Sequence, residues 1–459
     1  MENKFKLEIH LKQHTPIIHF QHAQPGATLR ATEVKPKLDR FIRENFKRLF
    51  ISAEDHFLYS KLDLFEPSEK KQSSYKLSIN REGTEKPNEY YLASYLKGEL
   101  QNRLAQHDKD YLHGTAFFAQ ENESSKVFPK VDLTNGIDGF NLEAYQSLPK
   151  LGLLETGKIK LTIFSFDKDI LSIISKSIPY FFAYENFGTR QNKGFGCFSV
   201  VDPKPLESMD TMIKKLFPVF AAKVELTNLS SDAMQRLQKI METIQSDYKL
   251  LKSGKNPKEN RGKYSKSLLF SYAVTRNIPV RWEKRKIKQQ INAGKFELEN
   301  SPVPLQYTNQ DIGPVEDDAN KRNWDDPAKG YKYQFIRAML GLAEQYEFLT
   351  SRRDSNGREA KYVVKVEAHS PAIQRFKSPV LFKIHNNTIY LIAEDVNSAM
   401  LNQGFNFGLE LKIGKNISKA NGHKMPLDSI NTPESFNMKE FLTYALQKGK
   451  GELSDYKPL

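Results

Sequence analysis

KIKLTIFSFDKDILSIISKSIPYFFAYENFGTRQNKGFGCFSVV occupies residues 158–201 and contains three regimes in succession. Over 158–166, Ile159, Leu161 and Ile163 alternate with Lys158, Lys160 and Thr162, the period of two expected of a strand with one buried face. Beyond Asp167 the apolar spacing lengthens to three and four, through Ile170, Leu171, Ile173, Ile174 and Ile178. That spacing predicts a helix, with the Asp167 carboxylate placed to cap its first N–H groups. Then NFGTRQNKGFGCF (186–198) packs three glycines, two cations and three phenylalanines into thirteen positions, and an apolar strand, CFSVV, follows. Ordered glycines cost backbone entropy, so so many of them need a reason.

Working outward, MENKFKLEIHLKQ alternates Phe5, Leu7, Ile9 and Leu11 with Lys6, Glu8, His10 and Lys12. This predicts a strand, not the continuous apolar core of a signal peptide. The loop IIHFQHAQPGATLRA leads to a helix, where Val34, Leu38, Phe41, Ile42 and Leu49 share a face and Thr32 and Pro36 suit its beginning. The middle, about 60 to 150, is mixed, with loop signals at EGTEKPNE and LTNGIDG. Pro203 and Pro205 suggest a boundary, giving a domain over 1–205 and another over 206–459.

The second half begins again with a strand, FPVFAAKVELT, and a helix carrying Met234, Leu237, Ile240, Met241 and Ile244. Strand–helix–strand modules thus occur twice, pointing to a duplicated α+β unit. Residues 258–288 hold ten Lys or Arg against two Glu, a net of +8. The acidic, proline-bearing segment 297–328 reads as a long loop, and 331–349 as a helix. VLFKIHNNTIYLIAE (380–394) reads as a hairpin, because an Asn pair tolerates the positive φ of a two-residue turn.

At 459 residues the chain exceeds one ordinary core, and its net charge of +14 favours polyanions as partners. One cysteine, Cys197, excludes an intrachain disulfide and suits a reducing cytosol. No apolar run approaches the ~20 residues that span a bilayer. The expectation is a cytoplasmic protein with no membrane partner and no small-molecule substrate.

The glycine loop reads G-x5-G-x-G. A Walker loop needs its lysine after the glycine, whereas Lys193 precedes Gly194, and a dinucleotide fingerprint runs from strand to helix, not from helix to strand. Lys193-Gly194-Phe195-Gly196 matches the first half of the RRM octamer, whose glycines admit a nucleic-acid backbone and whose aromatics stack bases; Cys197 and Phe198 depart from its second half. Arg190 and Lys193 suit a phosphate-facing loop, and the alternative is a simple connector.

A glycine-rich loop of this kind after the helix of a β–α unit resembles the RAMP proteins of CRISPR effector complexes. Thr15-Pro16, then Leu29-Arg30-Ala31-Thr32 and Lys35, are similar to the amino-terminal pattern of the Cmr-type subunit-one family of type III-B complexes, with Pro36 where a glycine is usual. RFKSPVLFKI (375–384) resembles a segment of that family's carboxy-terminal half. The resemblance implies two ferredoxin-like, RRM-related units with antiparallel sheets and long insertions. It implies a non-catalytic, RNA-binding subunit at the crRNA 3′ end or the duplex with target RNA, beside other RAMP subunits, in antiviral defence. The implied RNA contacts are Arg30, Lys35, Lys37, Gly188, Arg190, Lys193, Gly194 and Gly196. The basic stretch adds Lys263, Lys266, Arg281, Lys284 and Arg285, with Tyr264, Tyr272 and Trp282 as stacking surface.

Rival chemistry has fewer residues behind it. His10, His14, His19 and His22 crowd thirteen positions, but without an obvious carboxylate ligand they define no metal site. One of them acting as general acid or base would make a metal-independent CRISPR-RNA processing endoribonuclease. Asp317-Asp318 and Asp325-Asp326 suit a solvated loop more than a cation site, and VRWEKRKIKQQINAGKF (280–296) has the charge of a basic amphipathic helix. No catalytic residue, metal or cofactor is assigned.

Overall fold

The computed structural model of the chain describes residues 4–18, 28–66, 74–83, 87–92, 111–112, 151–155, 157–254, 266–276, 280–283, 332–342, 345–353, 359–373, 376–413, 423–449 and 451–459. Backbone contacts divide them into two units. The first comprises Met1–Gln245, Leu381–Ala393 and Tyr456–Leu459, the second Ser246–Val380 and Glu394–Asp455.

In the first unit, β1 (Lys6–Gln13) leads past β2 (Ile17–Ile18) to α1 (Ala31–Leu49) and β3 (Lys76–Glu82). β4 (Asn88–Leu92), β5 (Tyr111–Leu112) and β6 (Leu151–Leu154) precede β7 (Lys158–Phe164), α2 (Lys168–Tyr184) and β8 (Phe198–Asp202). The first sheet has the order β3-β7-β1-β8, with every neighbouring pair antiparallel. Its register sets Leu7 opposite Ile163, Ile9 opposite Leu161 and Leu11 opposite Ile159. The apolar rows therefore fall on one face, in a core shared with Val34, Leu38 and Phe41 of α1 and Ile170, Ile174 and Phe181 of α2. Each such side chain contributes about 1.5–3 kcal/mol relative to exposure. Asp167 caps α2 as the sequence predicts, its Oδ1 accepting the Asp169 N–H at 2.9 Å. β2, β6, β4 and β5 form a separate four-stranded sheet.

The chain continues through α3 (Met209–Leu216), β9 (Phe220–Glu225) and α4 (Ala233–Lys252). Next come α5 (Leu268–Thr275), β10 (Val280–Trp282), β11 (Lys332–Gln334), β12 (Gln345–Arg353) and β13 (Glu359–His369). The last elements are β14 (Val380–His385), β15 (Thr388–Ala393), β16 (Gly404–Ile413), β17 (His423–Asn431), α6 (Met438–Lys448) and β18 (Lys457–Pro458). β14-β15-β9-β18 form another four-stranded sheet of the first unit. Along the chain, β9, α4, β14, β15, α6 and β18 succeed one another as β1, α1, β3, β7, α2 and β8 do. In both sheets the order, by rank among those four strands, is second, third, first, fourth. The two sheets thus share one succession and strand order, with long segments at 253–379 and 394–437 interrupting the second.

Those segments supply the second unit's six-stranded sheet, β10-β11-β17-β16-β13-β12. It is antiparallel from β12 to β17 and parallel between β10, β11 and β17. Here α5 meets α6, with Tyr272 against Phe441 and Tyr444 and its hydroxyl 3.1 Å from Glu440 Oε2.

Three expectations and one rival reading require correction. The boundary does not fall at 205: Met209, Met212, Ile213 and Leu216 of α3 belong to the same core as α1 and α2, and the first unit runs on to Gln245. Residues 331–349 are not one helix. β11, a 3₁₀ turn (Ile336–Leu340) and the start of β12 replace it, because Gly341 adopts φ +95°, which no helix continues through. The start of the supposed amphipathic helix at 280 is β10, drawn into pairing with β11. The second unit's sheet is mixed, not purely antiparallel. The hairpin at 380–394 is as expected, with Asn386 at φ +56° in its turn. The acidic segment 297–328, with its two Asp pairs, lies outside the described residues.

Candidate functional site

The glycine loop is built into the core of the first unit. Phe187, Phe195, Cys197 and Phe198 are all fully buried. Gly188, Gly194 and Gly196 adopt φ of +79°, +80° and +66°, which L side chains rarely tolerate. A Cβ on Gly188 would stand 2.5 Å from the Ile18 carbonyl oxygen, one on Gly194 would strike Ile384, and one on Gly196 would strike the Phe187 backbone. The missing side chains thus make room for protein, which corrects the expectation that Gly188, Gly194 and Gly196 admit an RNA backbone. Phe195 stacks no base either, since it packs with Ile18, Leu237 and Met241. Nor is the loop a bare connector. Gly196 N–H donates to the Pro16 carbonyl at 2.9 Å, Thr189 N–H to Ile18 at 2.8 Å, and Phe382 N–H of β14 to Asn192 at 3.1 Å.

The loop and the start of α1, two segments 150 residues apart that the sequence reading singled out independently, meet. Gly188 N–H donates to Glu33 Oε1 at 3.0 Å. Lys37 Nζ donates to the Asn186 carbonyl at 3.1 Å, lies 3.4 Å from Glu33 and 3.6 Å from Glu185, and sits over the Phe187 ring. Lys37 is a strut within the protein, not a free phosphate ligand. Lys35 is held by Asp39 at 2.8 Å and by the Tyr75 ring. Arg30 takes the N-cap position of α1 with no side-chain cap, and is half-buried. Arg190 (φ +57°) and Lys193 lie in the half-buried tip, residues 189–193, between the buried glycines.

Of the basic stretch, Lys266 lies with its ammonium 5.1 Å from the Phe270 ring, and Arg281 lies in β10 opposite Tyr333. Lys263, Lys284 and Arg285, with Tyr264, lie outside the described residues. Tyr272 is buried in the second unit's core, so it offers no stacking surface.

Three residues of the site were not given a role by the sequence. Lys383, in the middle of β14, is fully buried and donates to the carbonyls of Phe182 and Glu185, the latter at 2.6 Å. Burial lowers its pKa to about 8 against the pull of Cys197 and Glu185. A lysine amid VLFKI was the available signal. Asn186 bridges Gln191 and Phe382 through Nδ2, and its Oδ1 accepts from the Cys197 thiol. Burial pushes that thiol up, away from nucleophile or ligand chemistry. His385 stands 4.8 Å from the His14 ring.

His14 is engaged at both nitrogens: Nδ1 accepts the Asn386 N–H at 3.1 Å, so Nε2 carries the proton toward Ser199 Oγ at 2.8 Å. Burial, reinforced by His385, Lys12 and Lys383, holds its pKa well below the ordinary range. His10 lies between Glu82 and Asp202. His19 and His22 lie outside the described residues. Among the described residues no cluster of three or more His, Cys, Asp or Glu is placed to hold a metal, and no helix is long and apolar enough to cross a membrane.

Fold and site define an α+β protein with a repeated strand–helix pattern, whose glycine loop is clasped between a helix start and the hairpin of the second repeat. Residues 4–255 match the family described as Cmr1 N-terminal domain, and residues 264–456 match the Cmr1 C-terminal domain. The chain belongs to the Cmr1 family, which makes it a subunit of the multi-subunit Cmr complex of CRISPR defence. The crystal structure of Cmr1 from Pyrococcus furiosus, in its apo form, is similar over 56% of this chain and 79% of its own. Sequence identity there is 12% and the TM-score 0.28, too distant to carry residue roles. No curated protein sequence matches.

Proposed function

We propose that the chain is a non-catalytic RNA-binding subunit of a type III-B Cmr effector complex in antiviral defence. It contacts guide RNA at the crRNA 3′ end or its duplex with target RNA, beside neighbouring RAMP-type subunits in the cytoplasm. Family membership supports the assembly. The RNA reading rests on one structural observation: the Gly188–Glu33 contact, which brings the loop tip bearing Arg190 and Lys193 to the amino-terminal end of α1, where Arg30 stands. Helix N–H groups with nearby guanidinium and ammonium groups suit phosphate oxygens. The net charge of +14 supports a polyanionic partner. The two sheets of like strand order support the ferredoxin-like, RRM-related reading of the fold, since that order and chain succession are those of the split β-α-β unit.

Binding of a labelled single-stranded RNA across a salt series tests this. Replacing Arg190 and Lys193 by alanine should lower the slope of log K against log salt by about 0.7 per lost phosphate contact. An unchanged slope removes the loop tip from the interface. The processing-enzyme alternative gains no support from His14, whose two nitrogens are already engaged. Metal-free cleavage of a precursor repeat RNA by the purified chain would establish it.

A further inference from the structure

Among the described residues, the first sheet buries one face and leaves the other open. At one end of the open face, the exposed Lys76 of β3 and Lys6 of β1 both stand opposite the half-buried Phe164 of β7. Phe166 follows, 79% exposed, with its ring 4.9 Å from Phe164 and 5.9 Å from Phe5, itself 38% exposed. Phe166 precedes the N-cap Asp167, the position from which an apolar side chain ordinarily folds back onto its helix as a staple. At this exposure it does not do so. Among the described residues, a phenylalanine as exposed as Phe166, beside the half-buried Phe164 and the part-exposed Phe5, is a costly arrangement.

Charge indicates what covers them. The row nearest the rings is cationic on both sides, and the next row holds Ser78, Thr162 and Glu8. Glu8 is taken up by Lys6 at 2.5 Å and Lys160 at 3.0 Å. The remaining carboxylates of the face, Glu82 and Asp202, are drawn to His10 at its far side. Flat apolar rings framed by ammonium and hydroxyl groups suit unstacked bases with their phosphates at the margin, whereas a protein partner would want a wider dry patch.

We propose that Phe166, with Phe164 and Phe5, is a stacking platform for bases of single-stranded RNA, with Lys76 on an adjoining phosphate. The proposal rests on the RNA-binding reading above but uses another surface. The rings adjoin the Lys6 end of β1, whereas the glycine loop adjoins the Gln13 end, about 23 Å along the strand.

The test measures binding of a fluorescently labelled oligouridine by the full chain carrying Phe164→Ala and Phe166→Ala, with Phe164→Tyr and Phe166→Tyr as the ring-preserving pair. Loss of stacking should weaken binding about tenfold without changing the salt slope, and the tyrosine pair should restore it. A near-native thermal transition is expected of Phe166→Ala alone, since Phe166 is largely exposed, and this single variant should already weaken binding where half-buried Phe164→Ala costs stability. If the alanine pair binds like the parent while Arg190→Ala with Lys193→Ala lowers the slope, the platform is wrong and the loop reading stands. If the parent binds no RNA, both fall. If the alanine pair loses a partner chain but no RNA affinity, the face is a protein interface and the proposal is overturned.

Discussion

The ammonium of Lys383 lies 2.6 Å from the carbonyl oxygen of Glu185, the residue that ends α2. A second bond to Phe182 completes the cap. A cation at a helix carboxy terminus meets the negative end of the helix dipole and the unpaired carbonyls there. The side chain comes from β14 of the β14-β15-β9-β18 sheet, so one buried charge ties that sheet to α2.

Lys383→Met should lower stability by about 1–3 kcal/mol at neutral pH, because both carbonyls lose their donor. The pH dependence carries a signature. The folded pKa is lowered to about 8 from 10.5, so between those values the unfolded chain holds a proton that the folded chain has released. Stability then rises with pH in that window. The gap between parent and variant in denaturant titrations should widen from pH 8 to 10.

Gly196→Ala should be among the most damaging single changes in the loop. The residue sits at φ +66° and its Cβ would strike the Phe187 backbone, so a loss above about 2 kcal/mol is expected. Gly408→Ala in β16 is the control, since nothing lies within 4 Å of its Cβ. It should be neutral or stabilise by about 0.5 kcal/mol. Thermal melts compare the two.

Lys37 and the Arg190–Lys193 pair should separate. With its side chain 18% exposed and fully engaged, Lys37→Met should destabilise by about 1–2 kcal/mol and leave the salt slope of RNA binding unchanged. The tip pair should do the reverse. Paired stability and salt titrations of both variants decide it.

His14 should remain neutral, with Nδ1 bare, in nitrogen-detected NMR at pH 6. Its folded pKa is held below the ordinary 6.5, so as pH falls through 6.5 the unfolded chain takes up a proton first and stability declines. His14→Asn, whose Oδ1 can replace Nδ1 as acceptor for Asn386 N–H, should flatten that decline. His385, lowered chiefly by burial, accounts for the rest.

What the amino-acid order determined by itself is whatever depends on neighbours a few residues away. Alternation in β1 and β7, three-to-four spacing in α1 and α2, the Asp167 cap and the Asn386 turn are local geometry written as a period or a cap, and each is where the sequence places it. What only the tertiary structure decided involves partners far along the chain. The strand order joins residues 6–13 to 158–164 and 220–225 to 388–393, and no period records which strand pairs with which. Residues 331–349 keep a helical spacing, yet Gly341 turns beside Ser378 and β12 pairs with β13. The glycines at 188, 194 and 196 were visible as a pattern, but a glycine is the same letter whether RNA or Ile384 fills its empty side. Lys37 and Lys383 likewise are charges in the sequence and become struts only once Asn186 and Glu185 arrive from elsewhere to receive them.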